Sequence, residues 1–355
     1  MVTANVVQLR VPPLAAKAAR LRYVSCSEQG IRRVRRGKSF VYYLPNGAQL
    51  RDEKQLARIR SLALPPAWKD VWICLDPRGH LQATGIDARG RKQYRYDARW
   101  RSVRDEAKFH ELLDFAGFLP LLRRRVSRDL ALPGLPRDKV IAAIVAIMER
   151  TQLRVGNDRY AEQNGSYGLT TLLDRHARIR GHRLELCFRG KGGKPRRVEL
   201  VDERLSGVVK RCRDLPGQRL FQYTDERGRQ RWIVSSDVNE YLKRVTGAEL
   251  SAKIFRTWTA TLLAAHTLDS AAAPASVREG KRSINATLSR VADQLGNTPA
   301  ICRKSYVDPR IFEAYVGGTL ASAMARARRR AGLTMSESRL VSLLERAAGA
   351  QKRAA

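Results

Sequence analysis

The 355-residue sequence predicts an α+β chain: a small strand-rich N-terminal domain followed by a larger, mostly helical domain that carries a β-hairpin module. Three observations predict it. Up to about Asp97, short apolar alternations are separated by turn signals such as Asn46-Gly47 and Asp76-Pro77-Arg78-Gly79. Beyond Asp97 the composition changes and apolar residues recur at helical spacing, most clearly at Val140, Ile141, Ile144, Val145 and Met148. Inside that helical part, Leu184, Leu186 and Phe188 alternate with polar residues and lead into Gly190-Lys191-Gly192-Gly193-Lys194-Pro195. The expected division is a flexible basic lead-in over 1–20, a β-rich domain over 21–97, a helical domain over 98–330, and a C-terminal helix with a basic tail over 331–355.

Taken in order, Phe40-Val41-Tyr42-Tyr43 reads as a strand followed by a hairpin turn at Asn46-Gly47. Residues 55–62 read as a short helix stopped by Pro65-Pro66. Val71-Trp72-Ile73-Cys74 and Leu81-Gln82-Ala83-Thr84 bracket a tight turn. Residues 138–150 form a helix for which Asp138 is the expected cap. Residues 183–200 form the hairpin, with Lys191 at its tip. Ser235 or Ser236 is expected to cap a helix that Gly247 ends. Further helices are expected over 254–267, up to Gly296, from Pro299 to Tyr306, and over 311–328, the last ending in the basic run Arg326, Arg328, Arg329 and Arg330. Thr334 and Glu337 match a capping box for a final helix.

Composition narrows the partner. Lys and Arg total 68 against 34 Asp and Glu, a formal charge of +34. Solubility asks for a net charge of only about 2 to 8 in a small domain, so the excess points to a polyanion, nucleic acid first. Charge alone leaves a packaging or RNA-binding protein as open as a DNA enzyme. The five cysteines form no CxxC pair and the five histidines are dispersed, which argues against a metal centre or a disulfide framework. No apolar run approaches the roughly 20 residues that span a bilayer, and the N-terminus lacks the continuous apolar core of a signal peptide. A reduced, cytoplasmic setting, associated with the nucleoid, is expected.

Chemistry is carried by residues scattered along the chain. Tyr306 lies in basic surroundings within the stretch Gly296-Asn297-Thr298-Pro299-Ala300-Ile301-Cys302-Arg303-Lys304-Ser305-Tyr306. A phenol, with an ordinary pKa of about 10, attacks a phosphodiester only where cations hold the phosphate and stabilise the charge that develops. Upstream, candidate cations stand at Arg154, Lys191, Lys253 and Arg256. Lys253 precedes Arg256 by three residues and shares its helix face, which makes it a candidate for contact with phosphate or base. Over 90–96, cations alternate with Gln93, Tyr94 and Tyr96, a mixture suited to phosphates and base edges; a solvated strand with half-buried tyrosines has the same pattern. Lys92, Gln93, Tyr94, Tyr96 and Lys253 are therefore the DNA-contact candidates. Singly, each of the chemical residues also has a structural reading: Arg154 as a helix-end group, Lys191 as a loop lysine, Asn297 as a helix stop.

The ordered set Arg154, Lys191, Arg256, Asn297 and Tyr306, in the contexts Leu153-Arg154-Val155-Gly156-Asn157, Gly190-Lys191, Lys253-Ile254-Phe255-Arg256 and Lys304-Ser305-Tyr306, resembles the type IB DNA topoisomerases, in particular the small bacterial and poxvirus-like branch. Leu64-Pro65-Pro66-Ala67-Trp68 and Lys92-Gln93-Tyr94-Arg95-Tyr96 resemble that branch as well, so the likeness runs from about residue 21 to about residue 330. It implies the tyrosine recombinase/topoisomerase IB catalytic fold, with 21–97 binding DNA and 98–330 catalytic. It also implies relaxation of duplex DNA through a 3′-phosphotyrosyl intermediate, without metal, nucleotide or other cofactor. In that pattern Tyr306 is the nucleophile, Arg154, Arg256 and Asn297 hold the phosphate oxygens, and Lys191 is the general acid. Many relatives use histidine where Asn297 stands; the amide still donates a neutral hydrogen bond but transfers no proton. The expected assembly is a monomer closing as a clamp around DNA, with no obligate protein partner and no membrane.

The nearest other reading is a tyrosine recombinase, which shares the tyrosine, arginines and lysine. Such enzymes usually place a histidine close to the second arginine, whereas Phe255 and Thr257 flank Arg256 here and His266 is ten residues on. A non-catalytic basic nucleic-acid-binding protein is the alternative from another class.

Overall fold

The computed structural model describes residues 12–37 and 39–354. The chain divides into two compact units, Met1–Glu111 and Leu112–Ala355.

The first unit contains α1 (Pro12–Ala18), β1 (Gly30–Arg36), β2 (Ser39–Tyr43), α2 (Glu53–Ser61), β3 (Lys69–Cys74), β4 (Leu81–Ile86), β5 (Lys92–Tyr96) and the start of α3 (Ala98–Leu130). Its sheet has the order β2-β1-β3-β4-β5, antiparallel throughout. Ile31, Val71, Ile73 and Ala83 on the strands pack with Ile59 of α2 and Leu50 into one core. Asp52 caps α2 by accepting from the amides of Lys54 and Gln55.

Two expectations need correction here. Residues 12–18 are not a loose lead-in: Pro12 and Pro13 suit the first turn of a helix, and Ala15 and Ala16 are buried against Leu21 and Trp100. Residues 1–11 lie outside the described residues. The Asn46-Gly47 turn forms, with Leu44 N–H donating to Ala48 O at 2.8 Å, but it returns the chain only as far as a single bridge between Tyr43 and Gln49. The full ladder partner of β2 is β1, upstream of it.

The second unit continues α3 and adds α4 (Arg137–Thr151), α5 (Asp158–Asn164), β6 (Ala177–Arg180), β7 (Arg183–Arg189), β8 (Pro195–Val201) and α6 (Glu203–Arg213). A two-stranded ribbon follows, β9 (Gln222–Thr224) with β10 (Gln230–Trp232). Then come α7 (Ser235–Thr246), α8 (Lys253–Asp269), α9 (Val277–Leu295), α10 (Pro299–Ser305), α11 (Pro309–Val316), α12 (Leu320–Ala325) and α13 (Met335–Ala354). Among the described residues no helix is long and apolar enough to cross a membrane.

Helix α4 is the centre of this unit. Val140 through Val145, with Ile147 and Met148, are all fully buried, so neighbours cover it on every side and not on one face alone. The 183–200 hairpin appears as β7 and β8, paired from Arg183↔Val201 to Arg189↔Pro195, with β6 as a third strand paired to β7.

Three helix boundaries differ from expectation. Pro136, not Asp138, precedes α4; Asp138 lies in the first turn and accepts both donors of an Arg244 nitrogen at 2.6 and 2.7 Å. Val234 occupies the cap position of α7, and its N–H is held by the Asp237 carboxylate at 2.8 Å, so neither Ser235 nor Ser236 caps. The helix expected over 311–328 is two helices, parted at Gly317-Gly318, where Gly318 takes a φ of 69°. The final capping box is present: Thr334 N–H donates to Glu337 at 2.8 Å and Glu337 N–H to Thr334 at 3.2 Å.

Candidate active site

Arg154 is set by the way α4 ends. Gln152 leaves the helix in the left-handed region, φ 55°, an uncommon conformation for a residue with a side chain. Its amide holds the turn by donating to Arg150 O at 2.9 Å, while its Oε1 accepts from Gln294 Nε2 at 3.1 Å. Just beyond Arg154, at Gly156, the chain crosses itself closely. A Cβ on Gly168 would stand 2.6 Å from Gly156 Cα, so both positions need glycine. That approach lets Leu169 N–H donate to Arg154 O at 2.9 Å and Thr170 N–H to Val155 O at 2.6 Å. The backbone of Arg154 is thereby fixed before its side chain is considered.

Arg256 lies in the first turn of α8 and is 3% exposed. One terminal nitrogen donates to Gln152 O and the other to Leu295 O at 2.8 Å. Leu295 is the last residue of α9, so the negative end of that helix faces the guanidinium. Nε of Arg256 is buried and without a hydrogen-bond partner. Burial first, and then the charges of Arg154 and Arg196, lower its guanidinium to about 10, while Tyr306 opposes them; it remains a cation at neutral pH.

Gly296 ends α9 in the left-handed conformation, φ 64°, and turns the chain so that Asn297 faces Arg154. Asn297 Oδ1 accepts from Arg154 Nη2 at 2.5 Å. An arginine only donates, so this contact assigns the amide: oxygen toward Arg154, NH₂ away from it. That NH₂ is buried and unsatisfied; its neighbour is the Cys302 thiol, a weak acceptor. Two buried donors, Arg256 Nε and Asn297 Nδ2, are therefore poorly satisfied, with the Tyr306 hydroxyl beside the Arg256 guanidinium and the Cys302 thiol beside the Asn297 amide. Buried donors are ordinarily paired, and a group with several oxygens would satisfy both.

Tyr306 terminates α10, whose start is set by the Thr298 cap and Pro299. Its carbonyl accepts from Thr261 Oγ1 of α8 at 3.2 Å, and the same hydroxyl accepts from Asp308 N–H at 3.2 Å. The ring centre lies 5.2 Å from Arg256 Cζ and 5.8 Å from Lys253 Nζ. Burial alone would push the phenol up. The charge and hydrogen bond of Arg256, with Arg154 and Lys253 behind them, outweigh it and bring the phenol below its ordinary value. Removing one of these cations must raise it again. Lys253→Gln is expected to move the phenol titration to higher pH in ultraviolet difference spectra, with Tyr306→Phe as the blank; a shift to lower pH would contradict the electrostatic reading.

Lys191 stands where expected, at the tip between β7 and β8, exposed. It has no hydrogen bond or ion pair among the described residues. Arg154, Arg256, Asn297, Lys253 and Tyr306 are brought together; the Lys191 side chain is not tied to them. The turn that bears it contains Gly192 and Gly193 at φ 77° and 74°, conformations that glycine adopts without steric cost. One residue of the site escaped the sequence reading. Arg196, four positions before Leu200, occupies the inward face of β8 with Val198 and Leu200, and donates to Gln294 O at 2.9 Å. Continuing the alternation Leu200, Val198 back by two residues would have found an arginine facing inward.

In the first unit, β5 is an edge strand. Lys92, Tyr94 and Tyr96 share one face, as alternation requires, and the two tyrosines stack with ring centres 6.0 Å apart. Tyr94 is 47% exposed. Lys92 also contacts the Cys26 thiol at 3.0 Å. Gln93 is on the opposite face, where its amide donates to Asp87 at 2.9 Å. Arg95 holds the carbonyls of Leu62 and Ala63 at 2.7 and 2.9 Å, a structural duty.

The chain is similar to known proteins over most of its length. The family model described as the catalytic core of eukaryotic DNA topoisomerase I matches residues 97–319, which include Arg154, Lys191, Arg256, Asn297 and Tyr306. The model described as the N-terminal domain of bacterial DNA topoisomerase IB matches residues 39–87. A protein of Acanthamoeba polyphaga mimivirus named DNA topoisomerase 1B is 34% identical over 294 residues, covering 81% of this chain and 88% of the viral one.

Proposed function

Because the chain belongs to the type IB DNA topoisomerases, we propose that it relaxes supercoiled duplex DNA through one transient strand break, with Tyr306 as nucleophile. The observation that carries this reading is the clustering around Tyr306 of Arg154, Arg256 and Lys253, with Asn297 held against Arg154 and two buried donors, Arg256 Nε and Asn297 Nδ2, that the oxygens of a phosphate would satisfy.

The chemistry runs as a transesterification. The Tyr306 oxygen attacks a backbone phosphorus; a phosphorus–oxygen bond to the phenol forms and the bond to the 5′-oxygen breaks. The phenol proton passes to solvent, and the departing oxygen takes a proton from the Lys191 ammonium. Arg256 Nε, Asn297 Nδ2 and the Arg154 guanidinium hold the nonbridging oxygens as charge develops. Each such donor is typically worth about 10²–10³ in rate. The ester conserves the energy of the broken bond, so resealing is the same reaction reversed and consumes no nucleotide. All the positive charge the transition state needs comes from guanidinium and ammonium groups, so no metal ion is invoked. Between the two steps the free end rotates and releases supercoils.

Residues 21–97 serve as the DNA-binding domain in this reading, with Lys92 and Tyr94 exposed on one face of β5, the half-buried Tyr96 in line with them, and Gln93 on the opposite face as its contacts. Residues 98–330 are the catalytic domain. The family and the positive charge on both halves support a monomer that closes as a clamp around the duplex, working at the nucleoid in the cytoplasm. The direct test uses a supercoiled plasmid without any recombination site, in EDTA. Relaxation is expected; binding with no change in topology would contradict the reading.

A further inference from the structure

Arg196 touches both halves of the site. Its Cγ lies 2.9 Å from where a Cβ on Gly190 would stand, so its stem passes under the residue that precedes Lys191. Its Nη1 lies 2.8 Å from where a Cβ on Gly296 would stand, over the residue that precedes Asn297. Its Nη2 donates to Gln294 O. One side chain thus ties the base of the Lys191 turn to the C-terminal end of α9, the end that also holds Arg256 through Leu295 O.

The electrostatics of this tie are unusual. Among the described residues no carboxylate pairs with Arg196; it is its neighbour Arg197 that pairs with Glu185. Burial and the charge of Arg154 lower the Arg196 guanidinium, and Arg196 in turn acts on Arg256. Three like charges therefore face one another, offset by the carbonyl end of α9. A surface anchor for a hairpin would be paired more cheaply with an acid. An anchor among cations gains strength when an anion enters between them.

We propose that Arg196 is a positioning residue: it fixes the β7–β8 hairpin to the end of α9 and so carries Lys191 to the leaving 5′-oxygen when a phosphate occupies the site. The proposal rests on Lys191 as general acid. Lys191 sits on a glycine turn with no hydrogen bond or ion pair among the described residues, so its aim depends on how the base of the hairpin is held. Misplacing a reacting group by about 1 Å is enough to cost about 10²-fold in rate.

The test compares single-turnover cleavage of two duplexes, one with the natural 5′-oxygen leaving group and one with sulfur, which departs with little proton assistance. Arg196→Met keeps the stem and removes the guanidinium. Gly190→Ala keeps the charge and displaces the stem, and it serves as well if the first variant does not fold. Both are expected to slow the oxygen substrate by roughly 10- to 100-fold, to cleave the sulfur substrate close to the native rate, and to bind duplex as the native protein does. Adding Lys191→Ala to Arg196→Met should slow the oxygen substrate no further than Lys191→Ala alone. Equal loss on both substrates, or multiplied losses in the double variant, would overturn the role of Arg196. If Lys191→Ala itself gains nothing from sulfur, it is the general-acid assignment that fails, and the double variant alone then decides whether Arg196 acts through Lys191.

Discussion

Tyr306→Phe is expected to abolish the covalent protein–DNA adduct and plasmid relaxation together, while duplex affinity stays within about twofold. The substitution removes one oxygen and leaves the ring, which packs 5.2 Å from the Arg256 guanidinium carbon and 5.8 Å from the Lys253 ammonium. The backbone tether to Thr261 is untouched, because it uses the carbonyl of residue 306. Affinity comes from phosphate contacts spread over a chain of formal charge +34, so one phenol contributes little to it. A denaturing gel shift and a plasmid assay measure the two effects. A variant that still relaxes DNA would remove Tyr306 as the nucleophile.

Arg256→Lys is expected to lower cleavage by about 10²–10³ and to destabilise the fold at the same time. The guanidinium does two jobs with different nitrogens. Its terminal nitrogens satisfy Gln152 O and Leu295 O, and Nε, which makes no such bond, is the donor proposed for substrate. A lysine keeps the charge but has one nitrogen, so it cannot reach two carbonyls and a phosphate in a fixed fork. A buried carbonyl left unsatisfied costs about 1–3 kcal/mol, enough to lower the thermal midpoint measurably. The rate loss exceeds what partial unfolding explains, since most molecules remain folded well below the midpoint. Single-turnover cleavage and a thermal melt on the same preparation separate the two. A near-native rate would mean that Arg256 serves structure alone.

The pattern of what the sequence revealed has a physical basis. Residue chemistry at fixed order survives any ignorance of packing, so Arg154, Arg256, Asn297 and Tyr306, which the fold brings together, were legible as a group, and Lys191 as the lysine of a hairpin tip. The hairpin was legible because Leu184, Leu186 and Phe188 alternate into a glycine turn, and the later helix stops at Gly247 and Gly296 because left-handed caps favour glycine. Other features depend on contacts distant in sequence. The helix at 12–18 is held by burial against Leu21 and Trp100. The true ladder partner of β2 is decided by the whole sheet, not by the strongest local turn. Gln152 in a left-handed cap has no sequence signature, since its conformation is secured by Gln294, 142 residues on. Arg196 was hidden because an inward arginine on a strand looks like a surface cation until the alternation is extended through it.

One measurement tests the central claim most directly: the reaction with duplex DNA is stopped in denaturant, the protein is digested, and the peptide that carries nucleotide is identified by mass spectrometry together with the polarity of its link. The expected result is nucleotide on Tyr306, joined through a 3′-phosphate, with a free 5′-hydroxyl on the other side of the break. Nucleotide on any other of the eleven tyrosines, or a link through a 5′-phosphate, would contradict it.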